Sequence, residues 1–478
     1  MYNVCIVGAG VVGGLIARNL SQYQLKTCIL ERENDVGMGT TKANSAIVHA
    51  GFDAESGTLK AKLNVLGSQM MPALARELGV KYVNNGSMVV GFDESDAKTI
   101  QLLYENGVRN GVKQLSILSG DEARKIEPNL KESVTTVLYA PTGAIICPYE
   151  LTINAIGNAM DNGVELKRNF NVSRIEKSEK AFKIVSENGE VVNAEYLINA
   201  AGLYADKIAN IVGDNSFEIK PRRGEYILLD KECGKTVSKT IFRTPTKMGK
   251  GILVSPTVDG NLLLGPTSFD IDDKKDLATT KAGLDLISNQ TSQTVKNIEV
   301  NKAITSFCGL RATTKQGDFI INMPVPNFIN VAGIDSPGLS SAPAIAVMIR
   351  DMLAEQGLKL QVNEKYNPKY RSLNFFKELS IEEKNELIKK DNAYGKIVCR
   401  CEVVTEGEIL NAIRTNPKPM DIDGVKRRTR AQMGRCQGGF CSTHIIKLLA
   451  KELGVQFQQV TKKGKNSTIV LGKTKEEE

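Results

Sequence analysis

Four short apolar runs, three ending in glycine and one in an acid, frame the chain. Residues 3–8 (NVCIVG) close on Gly8, a helical pattern follows to Leu20, and a second run, KTCILE, closes at Glu31. This is a βαβ unit. Far downstream, EYLINAAG ends at Gly202 and NFINVAG ends at Gly333, ahead of a small-residue helix, SSAPAIAVMIRDML. Runs so widely separated imply a Rossmann-like domain assembled from residues 1–80, 141–215 and 302–360. Between them, residues 82–92, 223–229, 251–254 and 261–264 alternate as half-buried strands do. They predict an antiparallel substrate domain made of residues 81–140 and 216–301. The expected class is therefore α/β. Residues 361–392 read as a linker with a short helix opened by a Ser380/Glu383 capping box. A small helical module is expected over 393–455, and a frayed tail over 456–478.

The chain has 478 residues, 41% of them hydrophobic and 24% charged, a soluble globular balance long enough for about three domains. The formal net charge is +8, aromatics are 5% and Trp is absent. That speaks against a stacking platform for nucleic acid and suits a small anionic substrate. No apolar run approaches a membrane span and no signal peptide opens the chain, so the expected location is the cytoplasm. Peripheral contact at the inner face of the membrane stays compatible with this. Five of the nine cysteines, Cys5, Cys28, Cys147, Cys233 and Cys308, are scattered, unlike a secreted disulfide framework.

Gly8, Gly10 and Gly13, with Gly14 next, form G-x-G-x-x-G between strand and helix. The first glycine permits a tight turn, the second lets the backbone approach a pyrophosphate, and the third allows close helix–strand packing. Glu31 ends the second strand, where a carboxylate accepts hydrogen bonds from an adenosine ribose. No second cradle of this kind occurs, so a single dinucleotide is expected.

Of two histidines, His49 lies in TTKANSAIVHAGFD, a segment of small and polar residues. An imidazole there suits removal of a hydroxyl proton while a hydride leaves the adjacent carbon. His444 reads as part of a solvated helix face.

The ordered segments TTKANSAIVHAGFD, RRGEYILL, GKGILVSPTVDGNLLLGP, SFCGLRATT and GIDSPGLSSAPAIA resemble the FAD-dependent glycerol-3-phosphate oxidases and dehydrogenases of the D-amino-acid-oxidase-like superfamily. Relatives of L-2-hydroxyglutarate dehydrogenase share much of the pattern. The resemblance covers about residues 1–360 and implies FAD, with His49 as base beside the flavin. It also implies substrate contacts at Ser45, Lys250, Arg311 and Ser336. A forked guanidinium and an ammonium suit a phosphate dianion. Further flavin contacts are expected at Val12, Thr40, Thr41, Asn44, Val172, Ala201 and Gly202, and along the turn Gly333, Gly338, Leu339 and Ser340. Two positions need comment: Ala312 stands where the family often has proline, and Cys308 reads as a plain buried cysteine.

Cys399, Cys401, Cys436 and Cys441 form C-x-C-x34-C-x4-C. Four thiolates satisfy a [2Fe–2S] cluster, whereas structural zinc favours C-x2-C pairs. The pattern resembles the bacterioferritin-associated-ferredoxin-like domain, also appended to anaerobic glycerol-3-phosphate dehydrogenases. A Thr405/Glu408 capping box should start a helix just after the first pair. Lys426, Arg427, Arg428, Arg430 and Arg435 precede Cys436. They read either as a solvated basic face or as compensation for cluster charge and docking of an acidic partner.

The expectation is an enzyme that oxidises sn-glycerol 3-phosphate to dihydroxyacetone phosphate. Electrons would leave through the cluster to a partner flavoprotein or a quinone-linked subunit. A 2-hydroxy-acid dehydrogenase, an amine oxidoreductase and a non-catalytic electron carrier are the alternatives.

Overall fold

In the computed structural model, residues 1–245, 251–370, 375–472 and 474 are described. An eight-stranded sheet has a parallel centre in the order Glu165–Lys167, Thr27–Leu30, Tyr2–Val7, Val191–Asn199 and Phe328–Ala332. These strands are buried almost throughout, which is why they read as unbroken apolar runs. Val172–Lys177 and Phe182–Ser186 add an antiparallel wing, and Ile320–Val325 pairs antiparallel with Phe328–Ala332. Helices Val11–Leu20, Leu59–Leu78, Pro148–Asp161 and Gly338–Glu355 pack together around the largest core. Register pairs Val7 with Asn199 and Asn199 with Asn330, so the chain leaves three adjacent parallel strands at one carboxyl edge. Ligands of open α/β sheets bind at such an edge.

The second sheet has nine strands, antiparallel except where Ser87–Gly91 runs beside Thr240–Arg243. Lys220–Leu229 is its spine, paired along its length with Ala303–Thr313 on one side, and with Leu262–Gly265 and Phe269–Asp270 on the other. Ala303–Thr313 was expected with the dinucleotide-binding strands. Its ladder to Lys220–Leu229 puts it in the second sheet instead, and the crossing back comes only at Ile320. The run at 82–92 also divides. Tyr82–Val83 joins a small sheet with Ala144–Ile146, Gly86 turns the chain at φ +74°, and Ser87–Gly91 enters the nine-stranded sheet.

The C-terminal module pairs Ile397–Cys399 with Val404–Thr405 and gathers helices Glu406–Arg414, Ile422–Thr429 and Ser442–Leu453 around Ile409, Val425, Ile445 and Leu449. Both expected capping boxes form. The segment read as a linker is packed rather than loose: Phe376 is buried and its amide donates to Glu408 Oε1 at 3.0 Å. The tail folds back as well, with Val460 in the module's core and Thr461 bridged to Thr468. Among the described residues no helix is long and apolar enough to cross a membrane.

Candidate active site

A cavity of about 670 Å³ opens at the carboxyl edge of the first sheet and runs under the second. Gly8 adopts φ +109°, and a Cβ there would lie 2.4 Å from the carbonyl oxygen of Ala200. Only glycine lets the two neighbouring strand ends approach so closely. Helix Val11–Leu20 then starts at the cavity, which Gly10, Val11 and Val12 line, and a helix N-terminus favours an anion. The Val11 amide is taken by Thr41 Oγ1 at 3.0 Å. Glu31 accepts from the amides of Ala9 at 2.8 Å and Glu33 at 2.9 Å. Burial raises its pKa, and those two amides work in the opposite direction.

Most of the expected residues meet here. Gly8, Gly10, Val12, Glu31, Thr40, Thr41, Asn44, Val172, Ala201, Gly202, Gly338 and Leu339 line the cavity together with Ser45, His49, Arg311 and Ser336. Four expected contacts stand behind the wall instead. Gly13 backs onto Gly8, where a Cβ would meet its carbonyl oxygen at 2.0 Å, and Gly14 packs on Ile156. Gly333 supplies a turn at φ +64°, and Ser340 is fully buried, its Oγ accepting from the His49 amide at 2.8 Å. These four shape the site through backbone approach and loop anchoring, which a motif cannot distinguish from contact. Lys250 lies outside the described residues.

His49 follows the strand Ile47–Val48 and is held at both backbone ends, by Ser340 and by Asn64, whose Nδ2 donates to the His49 carbonyl at 3.1 Å. Its ring stands 5.8 Å from that of Phe242, centroid to centroid. Opposite, Arg222, Gly224 and Tyr226 share one face of their strand, and Arg311, Gly309 and Phe307 are their cross-strand partners. The two facing glycines let their neighbours approach closely. A Cβ at Gly224 would lie 2.9 Å from Arg311 Nη2, and one at Gly309 would strike the Ala43 carbonyl at 1.8 Å. Arg311 reaches the Thr267 carbonyl at 3.5 Å and the phenol of Tyr226. Among the described residues no carboxylate pairs with it. Lys60 and Arg222 of the same wall are matched, with Asp335 at 2.7 Å and with Asp270 at 2.6 Å, while Lys207 lies over the Tyr204 ring.

Tyr226 is a cavity residue that the sequence reading does not single out. Its hydroxyl is 3.1 Å from Ser45 Oγ, its ring stacks on Phe307 at 4.7 Å, and burial raises its pKa. The signal was present in RRGEYILL, where period-two spacing sets Tyr226 on the same face as Arg222.

The four clustered cysteines meet as two pairs. Cys401 and Cys436 lie 3.5 Å apart, sulfur to sulfur, and Cys399 is hydrogen-bonded to Cys441. Among the described residues no three metal-binding side chains converge on one point; two thiol pairs are the donor set of a two-iron centre. The Cys441 thiol, then the amides of Gln432 and Glu402, bring the Cys399 pKa down to about 6. Burial opposes ionisation of Cys436, yet amides of Gly438, Phe440 and Gly439 lower its pKa. His444 sits apart on the surface, 2.9 Å from Glu406. Cys308 is a buried thiol whose pKa burial raises, as expected.

Three residues of the basic run do not form the solvated face that was one of its two readings. Arg427, Arg428 and Arg430 are buried and paired across the seam to the rest of the chain. Arg427 Nη2 and both Nη atoms of Arg428 hold Asp35 at 2.6–2.8 Å, while Arg430 holds Asp259 and Glu402. Exposed Arg435 pairs with Asp230 and Glu232.

Residues 3–352 match the family described as FAD dependent oxidoreductase, and residues 397–451 match the BFD-like [2Fe-2S] binding domain. The chain is 50% identical to a glycerol 3-phosphate dehydrogenase of Caloramator mitchellensis, with all of both chains covered. It is 31% identical to the glycerol 3-phosphate oxidase of Mycoplasma pneumoniae over 77% of this chain and 98% of that one. A structure of the L-alpha-glycerophosphate oxidase of that organism with FAD bound superimposes with a TM-score of 0.73, at the same identity and coverage. The chain belongs to the FAD-dependent oxidoreductase family and carries a BFD-like [2Fe–2S] domain at its C-terminal end.

Proposed function

We propose that this chain oxidises sn-glycerol 3-phosphate to dihydroxyacetone phosphate and sends the electrons out through its iron–sulfur module. One observation carries the reading: a single cavity takes in the glycine cradle, His49 and a guanidinium, Arg311, that no described carboxylate neutralises. The 50% identical dehydrogenase supports the substrate, and the glycine approach at Gly8 fits a dinucleotide. FAD bound there would accept the C2 hydride, and a [2Fe–2S] cluster on Cys399, Cys401, Cys436 and Cys441 would provide a one-electron outlet.

The chain's own residues do the rest. His49 takes the C2 hydroxyl proton as the C2–H bond breaks, so the alcohol loses a proton and a hydride and becomes a ketone. Arg311 and Lys250 hold the phosphate dianion. Ser45, oriented by Tyr226, and Ser336 hydrogen-bond the polyol. A built-in electron outlet favours a dehydrogenase over an oxidase, with a flavoprotein or a quinone-linked subunit as the acceptor. The acceptor is reached from the cytoplasm, at the inner face of the membrane where it is quinone-linked.

The test is anaerobic addition of sn-glycerol 3-phosphate, then L-2-hydroxyglutarate, while the visible flavin band is followed. Bleaching by the phosphate is the expected result. Bleaching by the hydroxy acid alone would reassign Arg311 to a carboxylate, and bleaching by neither would refute the reading.

A further inference from the structure

Asp35 is completely buried, 392 and 393 residues before the two arginines that bind it. Arg428 meets it with both terminal nitrogens at 2.8 Å, and Arg427 adds a third bond at 2.6 Å. Arg428 is fixed in turn by the Pro417 carbonyl, at 3.0 Å from Nε and 2.6 Å from Nη2. Both arginines belong to helix Ile422–Thr429 of the thiol module. Asp35 belongs to the body of the chain and begins the strap that covers the glycine turn.

That strap is short and closely tied. The Val36 side chain is fully buried in the main core, and the Gly37 amide donates to the Ala9 carbonyl at 2.9 Å. Four residues on, Thr41 Oγ1 accepts from Val11. The strap thus bonds the turn at Ala9 and at Val11, and its middle, from Met38 to Thr41, lines the cavity. Nearby, Asn34 Nδ2 donates to Asp421 Oδ2 of the module at 2.6 Å. The module therefore grips the start of the strap, and the strap sets the turn.

We infer that Asp35 is a positioning residue through which docking of the thiol module holds the cavity in its FAD-binding shape, so that module and flavin bind cooperatively. The inference rests on FAD occupying the cavity and not on which substrate is oxidised. Two sites coupled this way affect each other equally. Flavin should tighten the module as much as the module tightens flavin. Another contact of the seam, Arg430 with Asp259, reaches the turn between strands Leu253–Pro256 and Leu262–Gly265 of the nine-stranded sheet and not the strap, so it serves as an internal control.

The experiment is FAD titration of the deflavinated full-length protein, followed by quenching of flavin fluorescence. It would use the wild type, Asp35→Asn, Arg428→Met, the pair combined, and Asp259→Asn. Asp35→Asn and Arg428→Met should each weaken FAD binding roughly tenfold, with the double variant little worse than either. Asp259→Asn should change it by less than about twofold. Equal weakening by Asp259→Asn, or unchanged affinity in both strap variants, would overturn the inference. If Asp35→Asn does not fold, hydrogen exchange on the wild type decides. Adding FAD should slow exchange over residues 422–430; protection confined to residues 8–41 would contradict coupling.

Discussion

The three buried arginines of the module seam and the half-buried arginine of the cavity, Arg311, differ in what faces them. In the module seam, Arg427, Arg428 and Arg430 each meet a carboxylate, and Asp35 answers two of them at once. In the cavity, Arg311 meets a carbonyl oxygen, a phenol and the space left by Gly224. A guanidinium already matched by an anion is a structural clamp; one held by neutral groups keeps its charge for a ligand. The residue type is the same in both regions, and the partners decide the role.

The largest effect is expected at the proton acceptor, away from either group of arginines. His49→Asn should lower the rate of flavin reduction by substrate by about 10²–10⁴-fold while FAD stays bound, measured by anaerobic stopped flow. A seam arginine should behave in the opposite way. Arg428→Met leaves Asp35 buried with one partner fewer and should cost about 3–5 kcal/mol of stability in urea unfolding. At saturating FAD, its KM for sn-glycerol 3-phosphate should not move.

Arg311→Met should reverse that pattern, with kcat/KM for the phosphate substrate down by about 1.5–3 kcal/mol and an unfolding midpoint that does not fall. A loss of stability at Arg311, or of substrate affinity at Arg428, would break the distinction. The smallest effect is with pH. Burial would raise the Asp35 pKa, but Arg428 and Arg427 hold it well below the usual carboxylate range. Its stabilisation is therefore fully present above the unfolded value of about 3.9 and is lost as pH falls towards the folded value. The difference in urea midpoint between wild type and Asp35→Asn should shrink as pH is lowered below about 4.

The sequence made the chemistry legible wherever a local pattern forces it. Gly8 must be glycine to pass Ala200, and strand burial on both faces produced the apolar runs of the first sheet. The thiol spacing and both capping boxes were equally readable. What escaped was pairing over long distances. Nothing in VKRRTRAQMGRC announces that Asp35 waits almost 400 positions earlier, so a buried clamp looked like a basic surface. Ala303–Thr313 was assigned to the wrong sheet because alternation fixes a strand but not its neighbour. Gly13, Gly14, Gly333 and Ser340 belong to motifs whose members divide between lining a cavity and supporting its wall. Only cross-strand register, Arg222 opposite Arg311 and Tyr226 opposite Phe307, brought Tyr226 into view.

On the proposed reading, one chain takes an electron pair from an alcohol and releases electrons singly through its module. Low-temperature electron paramagnetic resonance of the anaerobic holoenzyme, frozen after mixing with sn-glycerol 3-phosphate, tests it directly. A reduced [2Fe–2S] signal should develop after flavin bleaching and be lost in Cys401→Ser. Complete flavin reduction with a cluster that stays oxidised at every mixing time would contradict it.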